Sequence, residues 1–422
     1  MKRFIIAAFS LTIILLLTGT CKREYVEFQI SDIPETTKVI SDDNWVELIR
    51  TIDTTDYTFS FEQNPGVTEG DILVSSFDGG YLRRVTAINQ EGDDIIVETE
   101  FASITEAIQN ADIDYSVALT VDEKALKKAY LKEGVIIDHD LLKDSDQTNL
   151  NFNLDFIIYD ADGNPNTTSD QIKLTGNFGT STTFSPKVKI KDFNLEELIF
   201  TYNIKKEKKL HVSCFLAAII LNKEEKIASI PFHDIVIPAG IPITVQPVLE
   251  LNAGIVFEHG GNVQMEIEET IEYVTSISYQ NGDWTTTKTV EEYGDYTPPS
   301  LAANLKVEAY IKPKLLFKIY RVLSPKVEAK LYQTLEAETR AIDWELSKGF
   351  EAGLGVEMKI WKHTIFDFTA NVIDIKQVVA EGTIGGGEPP TPAFTANPTS
   401  GTAPLTVNFP DQSTNDPTSW LW

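Results

Sequence analysis

Cysteine is almost absent. The 422 residues hold two, Cys21 and Cys214, so no disulfide framework can be drawn. Cys214 falls in KLHVSCFLAAIIL, an apolar run with strand alternation, and reads as a buried, inert thiol. His211, three residues earlier, points to the opposite face of such a strand and makes no Cys/His pair with it. Histidine is scarce as well. The five, His139, His211, His233, His259 and His363, stand far apart, and no two have metal-ligand spacing. Also missing are Gly-x-Ser-x-Gly, a phosphate-cradling glycine loop followed by Lys-Ser/Thr, His-Glu-x-x-His and Cys-x-x-Cys. The 63 acidic residues could supply an acid–base pair, but no spacing selects one. The expectation is a protein that is not an enzyme and has no resident cofactor.

Positive charge is the other shortage. Against those 63 acids stand 36 Lys and Arg, a formal net charge of −27. Such a surface repels phosphate backbones, which excludes nucleic acid as a partner. The acidity reads as a device for solubility. Apolar runs long enough to matter to a membrane are confined to the first residues.

There, MKRFIIAAFSLTIILLLTGTCKRE sets Lys2 and Arg3 before an apolar run from Phe4 to Leu17, then small residues before Cys21. That is the layout of a secretory signal, expected over residues 1–20. Leu17-Thr18-Gly19-Thr20-Cys21 resembles the lipobox of bacterial lipoproteins, in the loose form of Bacteroidetes surface lipoproteins. Thr18 and Thr20 depart from that family's usual Leu and Gly or Ala. The resemblance implies cleavage before Cys21, a diacylglyceryl group on its sulfur and attachment to the outer membrane at the cell surface. Plain secretion is the alternative.

The rest of the chain reads as several β modules. From 44 to 119, short β runs at Asp71 to Ser75, Tyr81 to Ile88 and Ile95 to Glu100 are separated by Asp78-Gly79-Gly80 and Glu91-Gly92-Asp93. Ser103 and Glu106 have the spacing of a helix-capping box. This stretch is similar to a small β module found near the N-terminus of large secreted bacterial proteins. Over 120–148 a helical linker is expected: TVDEKALKKAYLKEG offers a capping box at Thr120 and Glu123, the Glu123/Lys127 pair and Gly134 as terminator.

The main body, 149–382, alternates strictly in FEAGLGVEMKI, LKVEAYI and KVEAKLY, and Asn281-Gly282 is a hairpin signal. One buried and one wet face predict an antiparallel β-sandwich. Lys306, Glu308, Lys326, Glu328 and Lys330 on the wet face argue against a lipid-facing barrel. A Gly/Pro linker, 383–391, leads to 392–422. There Phe394, Ala396, the Pro398 to Gly401 turn, Ala403-Pro404-Leu405 and Val407-Asn408-Phe409 resemble the start of a PKD domain, an immunoglobulin-like sandwich. About thirty residues cannot bury a sandwich core, so a truncated PKD domain is expected. The fold class is therefore mainly β and multi-module.

One string suggests a ligand. In YDADGNPNTTSD, Asp160, Asp162 and Asn164 alternate as oxygen ligands of a calcium loop would. Glycine stands at the fourth position rather than the sixth, and the twelfth is not Glu. A hairpin turn at Asp162-Gly163 is the favoured reading, with Ca2+ as the alternative.

These features together predict a lipid-anchored cell-surface protein acting as a binding, adhesion or structural module. Its partners would be the membrane, through Cys21, and an extracellular polysaccharide or protein. The rival is the non-catalytic front of a secreted hydrolase, since PKD domains accompany such enzymes.

Overall fold

The computed structural model describes residues 25–53, 58–121, 123–138, 150–167, 170–216, 220–258, 261–280, 283–301, 305–337, 342–360, 363–384, 393–410 and 412–413. The expected signal segment, Cys21, His139, His259, most of the 383–391 linker and the last nine residues lie outside them.

The chain opens with β1 (Tyr25–Asp32) and β2 (Thr37–Ile40), helix α1 (Asp42–Leu48), β3 (Ile49–Asp53), β4 (Thr58–Phe61) and β5 (Ile72–Ser75). A short 3-10 turn (Phe77–Gly79) leads to β6 (Tyr81–Glu91), β7 (Asp94–Phe101), α2 (Ile104–Ala107) and β8 (Asn110–Ala118). Then come α3 (Glu123–Leu126), β9 (Tyr130–Leu131), β10 (Val135–Ile137), β11 (Leu150–Asp160), β12 (Gln171–Lys191) and β13 (Asn194–Leu216). β14 (Leu221–Pro231), β15 (Ile235–Pro238), β16 (Pro242–Phe257), β17 (Gly261–Gln280) and β18 (Asp283–Leu301) follow. The last four are β19 (Leu305–Ile319), β20 (Leu323–Ala337), β21 (Ile342–Ile360) and β22 (His363–Ile384). The protein is mainly β, in antiparallel sheets with a sandwich-like arrangement.

Two large sheets form the body. In the first the order is β1-β8-β12-β13-β17-β18, with β11 lying along the first half of β12 and β10 on β11. In the second it is β22-β21-β20-β19-β16-β14-β9, with β15 on β16. Period-two patterning drives the packing. Along β16, Leu249, Leu251, Ala253, Ile255 and Phe257 are buried, while Glu250 and Asn252 between them reach Lys226 and Glu224 on the outer face. Along β12, Ile172, Leu174, Phe178 and Phe184 turn inward to the same core. β17 and β18 pair from Gln280 and Asp283 on either side of Asn281-Gly282.

The small sheet is β2-β5-β6-β7-β4-β3, antiparallel except for β2 beside β5. Its core is aromatic. Trp45 of α1 is fully buried, its ring 5.3 Å from Phe59 and Tyr81 and 5.5 Å from Phe61. Ser41 starts α1, its hydroxyl oxygen accepting the Asn44 N–H.

Two boundaries and the roles of two residues differ from what the sequence suggests. β8, inside the expected 44–119 module, belongs to the first large sheet, where Ile113 pairs with Val188. Burial of Ala111, Ile113 and Tyr115 against the body explains the choice. Among the described residues of the expected helical linker, the helix is a single turn, α3. After it the chain is captured by sheet edges: Leu131 pairs with Ala228 of the second sheet and Val135 with Leu154 of the first. Backbone pairing at two edges outweighs the helix propensity of a Lys-rich segment. Gly134 makes the turn between these strands at φ 82 rather than ending a helix. Lys326, expected on the wet face, is buried with 3% exposure.

The C-terminal stretch holds a bridge of Asn397 with Asn408 and an edge-on contact of Phe394 with Phe409 at 5.7 Å. Phe394, Leu405 and Phe409 remain exposed.

Candidate ligand-binding cavity

The three sheets meet around one apolar chamber. The small module reaches the body through its 3-10 turn. There the Thr244 hydroxyl on β16 donates to the Gly79 carbonyl at 2.9 Å in a buried contact, and Arg321 pairs with Asp78 at 3.0 Å. A second buried link runs from the Thr37 hydroxyl to the Ala107 carbonyl, 2.9 Å. These contacts set β6, the end of β7 and α2 across the open end of the sandwich.

The space left between them has a volume of about 500 Å³. Its walls include Leu82 from the small sheet, Ile113 and Val188 from the first large sheet, and Ile243, Val245 and Ile319 from the second. Phe184 also lines it, stacked at 3.9 Å and 18° on Phe317, so that the two large sheets are joined by an aromatic pair beside the chamber. Phe101 and Phe193, 38% and 44% exposed, line it where it reaches solvent.

Phe193 is held there by backbone geometry. Asp192 (φ 48) and Phe193 (φ 64) form the two-residue turn between β12 and β13, left-handed as hairpin turns require. Tyr320 (φ 46) and Arg321 (φ 63) turn β19 into β20 in the same way, and Tyr320 joins the lining.

The lining carries no acidic, basic or imidazole group. Its few polar side chains are largely engaged. The Tyr320 hydroxyl donates to the Pro242 carbonyl at 2.7 Å, and burial raises its phenol well above the ordinary range, keeping it neutral. The Ser103 hydroxyl donates to Glu106 Oε2 at 3.0 Å and lies 2.9 Å from the Thr105 hydroxyl. Glu106 also accepts the Ser103 N–H at 2.6 Å, in the capping box expected at these positions, and pairs with Arg84. Pockets of this size, apolar and at a junction of modules, are where small ligands bind.

Compared with known protein families, curated proteins and solved structures, this chain matches none. Among the described residues, no helix is long and apolar enough to cross a membrane.

The acidic string takes a related but different form from the one expected. The carboxylates of Asp160, Asp162 and Asp170 lie within 4.8 Å of one another. Asn164 is tied into the same turn. Its side-chain oxygen accepts the Asn166 N–H at 3.2 Å and its amide donates to the Thr167 hydroxyl at 2.9 Å. Asp160 accepts the Gly163 N–H (3.0 Å), Asp162 that of Asn164 (2.7 Å) and Asp170 that of Asp162 (3.1 Å). The string thus connects β11 to β12 as a turn closed by its own side chains.

Of the remaining sequence candidates, Cys21 lies outside the described residues, and the Cys214 backbone pairs with Ile172 and Val263 inside the first large sheet. The chamber itself escaped sequence reading because its walls come from Leu82 through Leu323, with no local pattern.

Proposed function

We propose that this is a non-catalytic binding protein, displayed at the cell surface and held there by lipid on Cys21. The observation that carries the binding part is the chamber: it opens to solvent between modules, yet its walls offer no acid, base or metal ligand for chemistry. The anchoring part rests on the lipobox-like Leu17 to Cys21 and the signal-like run before it. Three residues separate Cys21 from Tyr25, where β1 joins the first large sheet, so lipid on that sulfur would tether the body close to the membrane.

A thioether-linked pair of chains with a further amide-linked chain gives stable attachment. Cells expressing the protein should incorporate labelled palmitate into it, and Cys21→Ser should shift it from the membrane fraction to the periplasm or medium. Failure of the unaltered protein to take up label overturns the anchoring. Hydrolysis of peptide or polysaccharide substrates by the purified chain overturns the non-catalytic reading.

A further inference from the structure

We propose that the chamber binds a single hydrocarbon chain, the acyl tail of a fatty acid or lipid, with the polar head outside. This rests on the reading of the protein as a binding protein and names the ligand class of its cavity.

Three features select a hydrocarbon. The walls are dominated by Ile, Val, Leu and Phe, and no acidic, basic or imidazole side chain lines the space. The Tyr320 hydroxyl is held by Pro242, and the Ser103 hydroxyl by Glu106 and Thr105. A sugar or heteroaromatic ligand would therefore leave its own buried polar atoms without partners, a large penalty. A charged head would fare worse, so it stays in water.

The volume, about 500 Å³, is of small-ligand size. Phe101 and Phe193 then have a role at the entrance. Both are large, exposed and apolar; Phe101 ends β7 and Phe193 stands in the turn between β12 and β13, at the edge of the same space. They offer a chain apolar surface as it leaves water. Phe193 also occupies a left-handed turn position, φ 64, that asparagine would fill with less strain.

The test uses the chain from residue 21 to 422 carrying Cys21→Ser, which cannot be acylated, and a dansyl-labelled undecanoic acid as probe. The expected result is saturable binding, one probe per chain, with a blue-shifted emission that palmitic acid reverses. Leu198→Trp, which fills the chamber, should weaken the probe by about tenfold or more. Val378→Trp, on the exposed face of β22, should leave it unchanged. Phe193→Asn should keep the fold and weaken the probe, which decides the matter if Leu198→Trp misfolds.

Displacement by palmitic acid, but not by phosphatidylcholine vesicles, assigns a free fatty acid. Displacement by the vesicles assigns the chain of a membrane lipid. Absence of saturable binding overturns the proposal, as does unaltered binding in a Phe193→Asn chain with native circular dichroism. That failure would leave palmitate labelling at Cys21 untouched, so the anchoring and the ligand class fall separately.

Discussion

Gly80 packs against Thr244 so tightly that a β-carbon at Gly80 would collide with the threonine hydroxyl, with its Cβ and with the Tyr320 ring. The backbone at Gly80, φ 95 and ψ 148, lies in a region open essentially to glycine alone. The small module is therefore seated on the body by a residue without a side chain, and this seat closes one wall of the chamber. Gly80→Ala should cost roughly 2–4 kcal/mol from strain and collision together. It should also expose the segment between β5 and β6 to proteolysis. Chemical denaturation with limited proteolysis checks both, and an unchanged midpoint would mean that the modules are joined elsewhere.

The ring of Tyr332 lies on Gly349, its cross-strand partner, with the Lys330 ammonium 4.9 Å from the ring centroid. Burial pushes the Tyr332 phenol up to about 12, helped by the charges of Glu351, Asp374 and Glu308. In the unfolded chain it titrates near 10. Between those values the unfolded state has lost a proton that the folded state keeps. The contribution is thus whole below pH ~10 and falls as pH rises toward ~12. The unfolding midpoint should drop across that window, and Tyr332→Phe should flatten the drop. The late phenol should also appear as a delayed step in an absorbance titration; its absence, with all phenols titrating together near 10, would contradict the environment described for Tyr332.

For the β11–β12 turn the expected outcome is indifference to calcium. Asp160, Asp162 and Asp170 already accept backbone N–H groups of the turn, so the loop is organised without an ion. Three carboxylates within 4.8 Å repel one another, and Asp162→Asn should stabilise the chain slightly, by a few tenths of a kcal/mol. Thermal unfolding in chelator and in millimolar calcium should coincide. A rise of several degrees with calcium, abolished by Asp170→Asn, would make the turn a cation site.

How far the sequence anticipates this molecule depends on how local each signal is. Asn281-Gly282 and the alternation of KVEAKLY are written within a few residues, and the strands around them follow. Asp78-Gly79-Gly80 reads as a turn, but its fit against Thr244 depends on a strand more than 160 positions later. The turns at Asp192-Phe193 and Tyr320-Arg321 use residues that rarely adopt positive φ, so no glycine marks them. Asp170 stands eleventh from Asp160, a position that supplies no ligand in a calcium loop, so the pattern does not single it out. The helical reading of TVDEKALKKAYLKEG fails because its competitors are edges of β11 and β14, which lie outside the segment. The chamber is the extreme case, since none of its walls is a motif.

Removing everything after Gly385 should change stability little. In the C-terminal stretch, Phe394 touches Phe409, but both are more than half exposed, and Leu405 is 40% exposed. The bridge of Asn397 with Asn408 joins the stretch to itself. None of Phe394, Leu405 and Phe409 belongs to the two buried apolar clusters of the folded modules. An element that buries so little apolar surface contributes little free energy, and its loss should move a denaturation midpoint by less than about 1 kcal/mol. Chains ending at Gly385 and at Trp422 can be compared directly, with limited proteolysis expected to clip the longer one first between Pro389 and Pro392. A larger loss of stability would show that the stretch packs on the sandwich. The apolar residues it leaves in water here would then need a partner surface on the body.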